Sequence, residues 1–368
     1  MPTADHGSRR AALRAVLAER GVDALLVTDL LNIRYLTGFT GSNAALVVDA
    51  RDAEGAEDRT VICTDGRYVI QVGEQVPDLR ALIDRSSAPA LVRMLTADPG
   101  IRVGFESHVV TVDALSGWQS VAPDLDFVRT PGCVERLRMV KDEHEVSLLR
   151  RACASADLAL AVLVERGGLR PGRTEREVGR ELEFLMLEHG ADGISFETIV
   201  ATGANSAVPH HRPTDAVLAA GDFVKLDFGA TVEGYHSDMT RTYVLGSAAD
   251  WQRDVYDLVA RAQAAGRAAL APGVEVASVD AAARSVIEDA GYGELFVHGL
   301  GHGVGLEIHE APGIGKLGTG TLLAGAAVTV EPGVYFSGRG GVRIEDTLVV
   351  REQEPELLTL TSKDLAIV

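Results

Sequence analysis

The segment FVKLDFGATVEGYHSDMTRTYVLG, residues 223–246, carries one aspartate in each of two apolar, β-rich runs that flank a turn-like Val232-Glu233-Gly234. It reads as a β-hairpin. With the turn centred on Val232 and Glu233, Asp227 faces Asp238 across the ladder, and a bulge at Gly234 would slip that pairing by one residue. Like charges opposed on a ladder are destabilising and aspartate is a poor strand residue, so the pair calls for a compensating cation. A metal ion is the natural candidate.

A second copy of the pattern follows. Pro171-Gly172, a helical run and Gly190 recur as Pro272-Gly273, a helical run and Gly291, offset by 101 residues at both ends. AGDFVKLD, residues 220–227, then recurs as AGAAVTVE, residues 324–331, so that Asp227 falls on Glu331. The second copy is also a hairpin, around the Gly-rich turn at residues 337–341, and its second strand offers Glu345 where the first copy has Asp238. The expected architecture is a pseudo-two-fold α+β domain whose sheet brings these carboxylates to a central cleft.

Between the hairpins lies VHGLGHGVGLEIHE, with His298, His302 and His309. Four glycines in this stretch argue for an extended or looped backbone and not for a helix, and the spacing is not that of an HExxH zinc helix. One of these histidines is expected to bind metal. His210 and His211, just ahead of the first hairpin, are further candidates. Four carboxylates with one imidazole are neutralised by two divalent ions, whereas one would leave the site strongly charged. An oxygen-rich, thiolate-free donor set favours Mn²⁺ or Co²⁺ and leaves zinc and iron open.

The elements that must position these groups follow from the rest of the chain. Its 368 residues, 46% apolar, suit two domains. Residues 1–131 alternate helical and strand-like stretches, an α/β domain closed by Pro131-Gly132, and residues 132–368 hold the repeat. Asp142 with Glu145 and Thr174 with Glu177 are capping-box patterns that open two helices. No run approaches the length needed to cross a bilayer and the N-terminus has no signal-peptide core, so a cytoplasmic protein is expected. The net charge of −18 disfavours nucleic acid and anionic membrane as partners. Cys63, Cys133 and Cys153 are too few and too scattered for a disulfide framework or a thiolate metal site.

LDFGATVEGYHSDMTRT, HGLGHGVGLEIHE, VEPGVYF and GVRIED, in this order and spacing, closely resemble the ligand segments of the metal-dependent "pita-bread" peptidases. Within that family the resemblance is to Xaa-Pro dipeptidases (prolidases) and Xaa-Pro aminopeptidases. It covers the whole chain, residues 1–131 resembling the creatinase-type N-terminal domain. It implies that Asp227 chelates one ion, that Asp238 and Glu345 bridge two, and that His302 and Glu331 hold the other, with manganese the expected metal and cobalt or zinc the alternatives. It further implies that Glu331 shuttles a proton, that His210, His298 and His309 contact the peptide or its tetrahedral intermediate, and that Arg343 orients a ligand or the substrate's carboxylate. Tyr335 is a candidate for support behind them. The implied substrate is a proline-containing peptide cut before the proline, a dipeptide in preference to a longer chain, and the implied assembly is a homodimer.

Overall fold

Polar caps start the helices where their residue types require. Asp5 accepts from the Ser8 N–H at the head of helix His6–Arg20, and the helix stops at Gly21, whose φ of 62° suits a residue without a side chain. The computed structural model describes residues 4–51, 55–98 and 100–368, and the chain divides into two units between Arg138 and Met139. In the first unit a six-stranded mixed sheet runs in the order Arg80–Ile83, Val61–Thr64, Ala44–Asp49, Ala24–Val27, Arg102–Phe105, Asp126–Arg129. The change of unit lies past Pro131-Gly132, where the sequence places it. Helix Cys133–Arg138 is held to the first unit by Asn32, which donates to Glu135 (2.7 Å) and accepts from Arg138 (2.8 Å). All three cysteines are buried and unpaired.

In the second unit, helix Glu143–Glu165 packs on Glu175–Glu188, and Asp250–Ala268 packs on Val276–Asp289. The first two open on the expected capping boxes, Asp142 with Glu145 and Thr174 with Glu177. Two antiparallel triplets face these helices. Strand Phe223–Phe228 lies between Ile199–Thr202 and Met239–Val244, and Ala327–Val330 lies between Gly301–Gly303 and Asp346–Val349. The repeat extends to single hydrogen bonds. Gly172 N–H reaches Leu218 O (2.9 Å) as Gly273 N–H reaches Leu322 O (2.8 Å), and Gly221 N–H reaches Leu245 O (2.7 Å) as Gly325 N–H reaches Val350 O (2.8 Å).

Two sequence expectations about the hairpins are corrected. Asp227 faces Thr240 and not Asp238, because the two-residue turn is Glu233-Gly234, with φ of 47° and 74°. Positive φ at both positions is the twist-matched type I′ geometry, and it overrides the more centred turn expected. The displacement is even, so it does not turn the strand over, and both carboxylates still face one cavity. The second correction concerns the repeat. In the second hairpin Val330 pairs with Asp346 and Gly333 with Arg343, which sets Glu331 across from Glu345. Glu331 therefore matches Asp227, but Glu345 matches Thr240, and the counterpart of Asp238 is Arg343.

The hairpins meet along their second strands. Glu345 N–H donates to Thr240 O (3.1 Å) at the pseudo-axis. On either side, equivalent threonines bridge the strands: Thr347 Oγ1 donates to Asp238 O (2.8 Å) and Thr242 Oγ1 to Arg343 O (3.0 Å). The seam is buried, so each hydroxyl satisfies a carbonyl that would otherwise be stranded.

Each hairpin is also interrupted next to the seam, and the first break is at Gly229. A Cβ there would lie 1.8 Å from Ser237 O and 2.8 Å from the Ser195 Cβ. Gly229→Ala is therefore expected to destabilise the second unit by about 3 kcal/mol through overpacking. That corresponds to a fall of about 6–12 °C in its thermal midpoint. Calorimetry checks this, and an unchanged midpoint would contradict the close approach.

Candidate metal centre

Asp227 stands near the end of strand Phe223–Phe228, while Asp238, Glu331 and Glu345 fall in the interruptions of the two hairpins. There the backbone leaves the ladder and the side chains turn into a cavity of about 450 Å³. His302 joins them from the short strand Gly301–Gly303, where the expected extended backbone is found. Gly301 and Gly303 are needed there, since a Cβ would lie 2.1 Å from Thr329 O at the first and 2.2 Å from Ala311 O at the second.

The acceptor atoms converge. Single donor atoms of Asp238, His302 and Glu345 all lie within 4.8 Å of one another. His302 Nε2 is 3.5 Å from Asp238 Oδ2 and 3.4 Å from Glu331 Oε1. His302 Nδ1 bonds Gly303 O (3.0 Å), which fixes its proton there and turns the Nε2 lone pair toward the carboxylates. Burial pushes the His302 ring down to about 4, so it is neutral at pH 7. A neutral imidazole lone pair and carboxylate oxygens repel unless something positive lies among them.

Burial holds Asp238 and Glu345 well above the usual carboxylate range, with the other carboxylates adding to it. Burial likewise raises Glu331 to about 7, against the opposing pull of Arg343. Glu345 Oε2 accepts from Thr240 Oγ1 (2.7 Å) and Glu331 Oε1 from Thr329 Oγ1 (3.2 Å). Asp227 Oδ1 and Glu345 Oε1 are buried with no hydrogen-bond partner among the described residues. Unpartnered carboxylate oxygens in such a cluster fit a cation as their partner, and the donor set suits divalent ions.

Around this core the other expected residues separate by role. Arg343 is buried and pairs with Asp227 Oδ2; it also donates to Tyr335 Oη (2.8 Å), Thr240 Oγ1 (3.0 Å) and Pro209 O (3.2 Å). These contacts leave it holding Asp227 in place. Because Arg343 donates to the Tyr335 oxygen, the phenol hydrogen goes to His298 Nε2 (2.8 Å), and His298 Nδ1–H goes to Gly299 O (2.8 Å). Burial, and then the Arg343 charge, push His298 down to about 3. With both nitrogens engaged, His298 is a neutral wall of the cavity. His309 and His210 also line the cavity; the His309 ring sits edge-on to His302 at 4.5 Å between centroids. His211, also at the cavity wall, bonds Glu175 (2.8 Å).

Sequence reasoning missed Lys225, Thr240 and Glu175. Lys225 carried a signal, a lysine inside an apolar run two residues before Asp227 and hence on the same strand face. Thr240 and Glu175 carried none, because their importance comes from tertiary neighbours.

Comparison with known proteins accords with this geometry. Residues 147–352 match Metallopeptidase family M24, and residues 9–140 match the Creatinase/Prolidase N-terminal domain. The chain is 32% identical over 357 residues to the Xaa-Pro dipeptidase of Pyrococcus horikoshii, covering 94% of this chain and 95% of that one. Among solved structures, Xaa-Pro dipeptidase from Bacillus anthracis aligns with a TM-score of 0.93 at 38% identity, over 99% of this chain and 100% of that one. X-Pro aminopeptidase from Thermotoga maritima aligns with a TM-score of 0.86 at 33% identity, over 98% and 99%. With a creatinase-type α/β domain ahead of a pita-bread α+β domain that gathers buried carboxylates and a neutral imidazole, the chain belongs to Metallopeptidase family M24.

Proposed function

We propose that this metallopeptidase is prolidase-like, hydrolysing the bond before proline in Xaa-Pro dipeptides. The observation that carries the reading is the convergence of buried acceptor atoms on one point of the cavity, in a chain whose full-length relatives are named Xaa-Pro dipeptidases. Asp227, Asp238, His302, Glu331 and Glu345 would hold two divalent ions, manganese in our reading. Bound there, such ions supply a hydroxide nucleophile at neutral pH and polarise the scissile carbonyl.

The chain's own residues do the rest. Glu331 accepts a proton at its carboxylate and returns it to the leaving nitrogen. His309 and His210, whose rings have no hydrogen-bond partner among the described residues, donate to the oxygen that becomes anionic in the tetrahedral intermediate. Arg343 holds Asp227 in place and His298 gives the pocket a rigid neutral wall. The bond before proline is a tertiary amide without an N–H, so the pocket needs no acceptor for that nitrogen. The same reading extends to a homodimer and to a cytoplasmic setting, the latter supported by three unpaired buried cysteines. A second reading, aminopeptidase action on longer Xaa-Pro peptides, is favoured by the similarity to the Thermotoga maritima protein.

His309→Ala is expected to keep its metal and lose about 10² to 10³ in kcat, the effect of removing one oxyanion donor. Parallel loss of bound metal and rate would instead make His309 a ligand.

Specificity tests the reading independently. Replacing proline by alanine in an otherwise identical substrate buries an unpaired N–H, at about 1 to 3 kcal/mol, and loses ring contacts worth about 1 to 2. Ala-Pro is therefore expected to exceed Ala-Ala by at least about 30-fold in kcat/KM in steady-state assays. Equal rates would replace the Xaa-Pro assignment with a broad peptidase on the same centre, and faster cleavage of Ala-Pro-Ala than of Ala-Pro would select the aminopeptidase reading.

A further inference from the structure

The cavity-lining residue His210 is carried by a stretch with no regular secondary structure, yet a buried glutamate and a buried lysine grip that stretch on either side of it. On the C-terminal side stands Glu175, the first residue of helix Glu175–Glu188 and fully buried. Its Oε2 accepts from His211 Nε2 (2.8 Å), the Thr214 N–H (2.9 Å) and Thr214 Oγ1 (2.7 Å). Its Oε1 accepts from the Thr202 N–H (2.9 Å) and Asn205 Nδ2 (2.9 Å). One carboxylate thus ties a strand end, a 3-10 turn and the residues just after His210 to a helix N-terminus.

On the N-terminal side stands Lys225, also fully buried, with no carboxylate partner among the described residues. Its Nζ donates to Val208 O (2.6 Å) and Pro209 O (3.2 Å), and sits 5.2 Å from the Tyr335 ring centroid. Arg343 adds a third bond to the same stretch, at Pro209 O. A buried ionisable side chain that faces carbonyls or amides instead of a counter-ion is costly to keep, and it persists where neighbouring structure requires it. What both side chains share is the segment between them; of its cavity-lining residues, His211 bonds Glu175 and Arg212 pairs with Glu197, while His210 has no hydrogen-bond partner among the described residues.

We infer that Glu175 and Lys225 are positioning residues for His210, a two-sided clamp that sets its ring against the reacting carbonyl. The inference rests on the role given to His210 above. Neither residue touches substrate. A hydrogen-bond donor displaced by about 1 Å loses about 10²-fold in rate, so the clamp is expected to act on kcat.

The test uses the metal-loaded full chain. Glu175→Gln keeps the shape and removes the charge, and Lys225→Met removes both donors; each is expected to lower kcat about 10- to 100-fold with metal content unchanged and KM within about threefold. In a His210→Ala background the same substitutions should cost less than about twofold, since a residue that acts through another has nothing left to act on. Equal losses with and without His210 would overturn the clamp. Should His210→Ala itself leave kcat unchanged, the role of His210 falls, and the clamp is then decided by histidine ring NMR: moved and broadened His210 signals in both variants support it, and unmoved signals overturn it. The two substitutions lie on different elements, so misfolding of one leaves the other to decide.

Discussion

Asp227, Asp238 and Glu345 are buried together beside the half-buried Glu331, and their withdrawal from water is the constraint on which the second unit is built. Among the described residues the cation paired with any of them is Arg343, on Asp227, since His302, close to Asp238 and Glu331, is neutral. Uncompensated carboxylates in so dry a place would take up protons, and the raised affinities of Asp238, Glu331 and Glu345 express that pressure. Only strands already fixed by other interactions can hold acids in such opposition. The threonine-bridged seam, the helix pairs over the sheet and the close backbone approach at Gly229, Gly301 and Gly303 supply that rigidity.

The seam also shows how a near-symmetric scaffold makes an asymmetric site. The backbone hydrogen bonds of the two halves repeat, and Thr242 and Thr347 play the same part in each. The side chains at matching positions differ. Asp227 matches the longer Glu331, Thr240 matches Glu345, and Asp238 matches Arg343. Where full symmetry would have crowded more acids around the axis, the first half places a hydroxyl, which donates to Glu345, and the second a guanidinium, which neutralises Asp227. Repetition supplies the frame; substitution at a few matched positions sets the charge.

Much of this was legible in the sequence, for definable reasons. Acids inside apolar strands, glycines between histidines and a helix-glycine repeat are local patterns, and they led to Asp227, Asp238, Glu331 and Glu345 with one histidine as one cluster, the family resemblance pointing to His302. The exact pairing was not legible. Glu233 has to adopt a left-handed backbone for the turn to form, a choice that glutamate rarely makes and that only the flanking strand twist enforces. That one turn moves the partner of Asp227 from Asp238 to Thr240. The change between units was also displaced, because Pro131-Gly132 looks like a linker while the contacts of Asn32 keep the following helix with the first unit. Glu175 looked like one more acid in the first turn of a capped helix; its burial depends on Thr202, His211 and Thr214, which arrive from elsewhere in the chain.

The central claim is that the buried acids exist to hold two divalent ions. Its most direct measurement is the metal content of apo-protein reconstituted with Mn²⁺, taken by elemental analysis at each point of an activity titration. The account predicts two bound ions per chain, with the rate still rising until the second equivalent is bound. A plateau at one ion per chain with full activity would contradict it.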